Sequence, residues 1–144
     1  MSTYTLILNA LIILLGVGGF SLSLYIFRCK HAKAPLVCPV NGSCDLVTAS
    51  RYSRLAGIPV ELLGLIYYAI ITIFHGAVLV APSIFMQTTA LGLLALSILA
   101  FIFSLYLTGI QVFILKHFCT WCLISAALSS LIFLATYLAA PGVL

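Results

Sequence analysis

Cysteines are the residues in this chain with the most evident chemistry. Cys119-Thr120-Trp121-Cys122 sets two thiols three residues apart. On a helix such residues share a face, with roughly 5–6 Å between Cβ atoms. A small adjustment brings them to the ~3.5–4.5 Å that a disulfide requires. The pair stands at the predicted start of an apolar helix, where the partial positive charge of the N-terminus favours a thiolate. Lys116 and His117 add to that field. The spacing therefore predicts a disulfide that forms, breaks and exchanges. A c-type haem site would need His after the second cysteine, and Leu123 stands there.

A second pair is Cys38 and Cys44, separated by Pro-Val-Asn-Gly-Ser. Pro39 and Asn41-Gly42 are turn formers, so this loop folds back and brings its sulfurs together. Asp45 is placed to cap a short helix, Leu46 to Leu55. Its apolar positions Leu46, Ala49, Tyr52 and Leu55 lie mostly at helical spacing, which predicts an amphipathic helix over the mouth of the bundle. Two cysteine pairs suggest a relay, because thiol–disulfide exchange needs only in-line access. The loop pair meets a soluble thiol protein, and the CxxC passes electrons inward. The inward acceptor must dissolve in lipid, since Cys122 points into a stretch with almost no polar atoms. A quinone fits, taking two electrons per disulfide.

The elements that hold these thiols are apolar. Of 144 residues, eight are charged and 65% are hydrophobic; mean hydropathy is +1.34. Globular domains carry about 25% charged residues, so a soluble monomer is excluded. Disorder is excluded too, because it needs low hydrophobicity and high charge. The net charge of +4 is small and scattered, which argues against nucleic acid. Continuous apolar runs, rather than alternating ones, exclude a β-barrel. About 20 apolar residues span the bilayer. The runs at 4–27, 60–80, 84–115 and 118–140 then predict a single all-α domain over 1–144, a four-helix membrane bundle. The first run is too long for a signal-peptide core and lacks a basic leader, so it reads as a span. Gly16, Gly18, Gly19 and Gly64 would allow close helix contact. Pro82 is placed to start the third helix.

With this pattern the run Cys38-x5-Cys44-Asp45, Ser50, Gly57-Ile58-Pro59-Val60, Gly64 and Cys119-x-x-Cys122 resembles the vitamin K epoxide reductase family. The likeness is to its bacterial and archaeal branch and covers about residues 5 to 140. The combination is specific, although each element alone is weak. The resemblance implies a four-helix bundle around a quinone of menaquinone or ubiquinone type. It implies that Cys122 faces the quinone, that Cys119 exchanges with the loop pair Cys38 and Cys44, and that Ser50 and Asp45 support the site. Gly64, Tyr67 and Tyr68 are expected at the quinone. The partner implied is a thioredoxin-like or disulfide-isomerase-like protein, expected to be a separate chain. Animal members carry an Asn and a Tyr on the vitamin K head group, and Val60 and Ala126 stand at the matching positions. Quinone reduction by thiols is thus favoured over epoxide reduction. Cys29 lies outside the pattern and is assigned no role.

All six Lys and Arg residues (Arg28, Lys30, Lys33, Arg51, Arg54 and Lys116) fall on the cysteine face. Lys/Arg-rich ends are cytosolic, which predicts a multi-pass cell-membrane protein with its thiols toward the cytoplasm. The family usually has the opposite, exoplasmic placement. Inverted members occur in hyperthermophilic archaea, where intracellular disulfides are abundant. Rival readings are a four-cysteine zinc site, which is a binding module, and a scaffold subunit of a membrane complex. Among single residues, Glu61 is expected to complement a helix dipole, with tuning of the quinone site as the alternative. His75 is expected at the far interface and Trp121 at the near one. Tyr67, Tyr68 and Tyr106 are candidate pocket walls.

Overall fold

The computed structural model describes residues 3–32, 51–81, 83 and 87–139. Among the described residues, four helices are long and apolar enough to cross a membrane: Thr3–His31, Val60–Val80, Thr89–Leu115 and Thr120–Ala139. Each expected span is present to within a few residues over the described stretches. We name the helices α1 (Thr3–His31), α2 (Val60–Val80), α3 (Gln87–Gly109) and α4 (Thr120–Ala139). A π-helical segment, Ile110–Leu115, extends α3.

Helix α1 has 29 residues, about 43 Å at 1.5 Å per residue, against ~30 Å of hydrocarbon. Its last turn carries Arg28, Lys30 and His31, the polar surplus beyond the apolar run. The segment before α2 differs from expectation. Arg51–Ser53 is one 3-10 turn, and Arg54–Leu55 pairs antiparallel with Ile58–Pro59. The predicted helix therefore does not run through to Leu55, and its residues 46–50 lie outside the described ones. The physical reason is the turn at Ala56-Gly57, where both residues have positive φ (53° and 83°). Two consecutive positive φ values make the tight hairpin turn that suits strand twist. Gly57 takes that conformation without a steric penalty. Pro59 follows in extended conformation as the N-cap of α2. The Gly-Ile-Pro motif is thus the device that turns the chain into α2.

In lipid there is no hydrophobic drive between helices, so small residues and polar cross-links do the packing. Helix α1 lies against α2 and α4, and α3 against α4. Gly19 meets the ring of Tyr68 and Gly16 meets Thr72. A Cβ at Gly64 would stand 2.8 Å from Ser23 Oγ. Gly18 faces open space, so the expectation of close contact holds for its three companions only. Tyr68 Oη donates to the Ser125 carbonyl at 2.9 Å and ties α2 to α4. Ser104 and Ser129 bond at 2.8 Å between α3 and α4.

His75 is not an interface residue. It is 1% exposed, and its Nδ1 lies 2.7 Å from Asn9 Oδ1. Asn9 Nδ2 donates to the Thr5 carbonyl, so Oδ1 is the acceptor and His75 Nδ1 carries the proton. Burying this imidazole in hydrocarbon is costly unless it is bonded, and the pair supplies that bond between α1 and α2. Hydropathy puts His75 near a helix end; only the packing of α1 shows that it faces inward.

Candidate functional site

The CxxC is built as an N-cap. Helix α4 begins at Thr120, directly after Cys119. The Leu123 N–H donates to the Cys119 carbonyl at 3.0 Å. The Cys122 N–H donates to Cys119 Sγ at 3.3 Å. This sulfur occupies the position that a Ser or Asp oxygen usually takes at a helix start. No disulfide joins the two sulfurs in this structure. Cys119 is fully buried and packs with Leu22 and Ile26 of α1. Cys29, Tyr25 and Trp121 border the same cluster, and Trp121 lies 5.4 Å from the Tyr25 ring, centroid to centroid.

A side chain that the motif does not include holds Cys119 from behind. The Cys119 N–H donates to Gln111 Oε1 at 3.1 Å, and Gln111 is 3% exposed. Gln111 belongs to the π segment, whose wider turn re-aims side chains and recurs at functional sites. Lys116, with a positive φ of 54°, then breaks the helix so that the chain can start α4. A Gln deep in an apolar run is the signal in the sequence. Gln111→Leu is expected to leave a buried N–H unpaired, costing about 1–3 kcal/mol. The measurement is alkylation of reduced Cys119 against time, which should speed up as its turn loosens.

Cys122 opens onto a cavity of about 460 Å³ between α2, α3 and α4. That size is within the usual range for small-molecule sites. Helices α2 and α3 hardly touch, and the gap between them is this cavity. Its wall there includes Ile66 and Leu99, 51% and 65% exposed, so the cavity opens sideways toward lipid. Gly64, Tyr67 and Tyr68 line it, as do Val60 and Ala126. Tyr106 does not: it is 55% exposed on the outer face of α3, beside Phe103. Leu55 and Tyr52 line the cavity as well. Cys38, Cys44, Asp45 and Ser50 lie outside the described residues.

Glu61 stands in the first turn of α2, as the dipole reading expects. It does more than complement a helix dipole at the surface, for it is 8% exposed and lines the cavity. One carboxylate oxygen pairs with Lys30 Nζ at 2.6 Å. The sequence shows an acid at a helix start; its pairing depends on the end of α1 packing against the start of α2.

The vitamin K epoxide reductase family model matches residues 10–137 of the chain. The chain belongs to that family. It is therefore a membrane disulfide oxidoreductase, and the family to which it belongs uses quinones as redox partners. The four apolar helices fit a multi-pass membrane protein in contact with the lipid bilayer.

Proposed function

We propose that the protein oxidises the thiols of a thioredoxin-like or disulfide-isomerase-like partner and delivers the electrons to a membrane quinone. The observation that carries this reading is the placement of Cys122 in the wall of an apolar cavity, directly after Cys119 caps the same helix. The partner dithiol attacks the Cys38–Cys44 disulfide and leaves oxidised. The reduced loop pair then attacks the Cys119–Cys122 disulfide. The two thiols of the CxxC finally yield two electrons and two protons to the quinone and close again to a disulfide, and quinol leaves. When bound, a quinone supplies the two-electron acceptor. The chain contributes a dry apolar cavity open to lipid, with the hydroxyl-bearing Tyr67 and Tyr68 in its wall.

Val60 and Ala126, both in the cavity wall, offer no hydrogen bond to a head group. This supports simple quinone reduction over epoxide reduction. The six basic residues on the cysteine face support a cytoplasmic site. The test uses purified protein, a reduced thioredoxin-like protein and menadione or decylubiquinone. One quinol per partner disulfide is the expected yield. Stoichiometric zinc with no quinol formed would favour the metal-binding reading instead. In intact cells a membrane-impermeant maleimide should leave Cys38 unlabelled if the site faces inward.

A further inference from the structure

We propose that Glu61 is the proton carrier of the thiol-to-quinone step, accepting a proton from the CxxC and passing it to the reduced quinone, with Lys30 as its positioning residue. This inference rests on the quinone reading above. The two observations behind it are geometric. Glu61 and Cys122 line the same cavity. Only one carboxylate oxygen of Glu61 is engaged by Lys30; Oε2 is buried with no partner among the described residues. A buried carboxylate oxygen left unpaired is costly, and a site that keeps one in the same cavity as a reacting thiol keeps a proton acceptor.

The chemistry needs such a group. Two thiols lose two electrons and two protons as the Cys119–Cys122 bond forms, while the quinone gains the same to become quinol. Water is scarce in an apolar cavity, so each thiol proton needs a protein group to leave on. Glu61 takes one as a carboxylate, releases it to an unprotonated oxygen of the reduced quinone, and is then free to carry the second in the same way, so nothing is consumed. Lys30 holds the carboxylate in place through its ion pair with Oε1. Both charges lie near enough to act electrostatically on the Cys122 thiol. The titratable groups around Glu61 among the described residues are Lys30 from α1, Cys122 from α4, and Tyr52, Tyr67 and Tyr68 in the cavity wall. The π segment contributes no titratable group there.

Two readouts separate proton transfer from simple electrostatics, because they are expected to move in opposite directions. In the reduced protein without quinone, Glu61→Gln removes a negative charge near Cys122 and should speed its alkylation by iodoacetamide. In a single turnover with menadione or decylubiquinone, the same variant should react about 10²-fold more slowly, the usual worth of general acid–base catalysis. Its rate–pH profile should also flatten. Glu61→Asp should recover part of the rate. Lys30→Arg should keep the parent rate, and Lys30→Met should slow the turnover as the carboxylate loses its anchor.

If Glu61→Gln alkylates faster and also reduces quinone as fast as the parent, the pair is only an electrostatic clamp and the proposal is wrong. If the parent protein itself leaves both quinones oxidised, the quinone reading fails and this proposal fails with it. Thermal unfolding of each variant in detergent checks that slow turnover does not reflect lost fold.

Discussion

Cys122→Ser is expected to reduce quinone at least on the order of 10³-fold more slowly than the parent, as befits loss of the reacting nucleophile. The reason is its position. Cys122 lines the cavity, whereas Cys119 is fully buried behind it against Leu22 and Ile26. With Cys122 gone, Cys119 has no neighbour in the CxxC with which to close a disulfide. It can still attack an oxidised loop pair, forming a mixed disulfide with Cys38 or Cys44 and freeing the other loop thiol; that cross-link should accumulate, since Cys122, which would carry the exchange on to the CxxC disulfide, is missing. Non-reducing peptide mapping should find that cross-link. In the reduced parent, Cys122 should be alkylated before Cys119, because only Cys122 is reached from the cavity. Normal quinone reduction by Cys122→Ser would overturn the assignment of roles. Cys29 borders the same cluster but lies outside the motif, and Cys29→Ala should leave the rate unchanged.

The second large effect is structural. Gly19→Val is expected to destabilise the bundle by about 1–3 kcal/mol, the range for overpacking a well-filled contact. A Cβ at position 19 runs into the Tyr68 ring, and that ring cannot yield easily. Its hydroxyl is bonded to the Ser125 carbonyl and lies 3.0 Å from Ser125 Oγ, and the ring is 2% exposed. Moving it breaks the tie between α2 and α4 and reshapes the cavity wall, so quinone reduction should fall together with the melting temperature in detergent. Two comparisons isolate the cause. Gly18→Val, where a Cβ meets nothing within 4 Å, should melt like the parent. Tyr68→Ala combined with Gly19→Val should be less unstable than the sum of the two changes, as expected for residues in direct contact. Additive losses would show that the Gly19–Tyr68 contact is not the one that matters.

Much of this architecture is legible from residue type alone. Membrane crossing depends on the length and apolarity of local segments, so the four spans are read directly from hydropathy. The CxxC is legible because three-residue spacing and a helix start are local features. Gly57 and Pro59 are legible as a motif, but the hairpin they close at Ala56-Gly57 is not: an apolar pattern at helical spacing reaches Leu55, and the turn overrides it.

What the sequence by itself determined, then, is a bundle of four membrane helices with a redox-capable pair of thiols at the head of the last. Only the tertiary structure decided which polar groups meet. Glu61 and Lys30 are 31 positions apart, Asn9 and His75 are 66, and Gly19 and Tyr68 are 49. Lipid supplies no hydrophobic periodicity to mark the inward face of each helix, since the outward face is equally apolar. Helix rotation, and with it the choice between a buried partner and an exposed side chain, is set by side-chain contacts between helices. The cavity has the same origin: it is the space left where α2 and α3 stay apart while α1 and α4 pack closely.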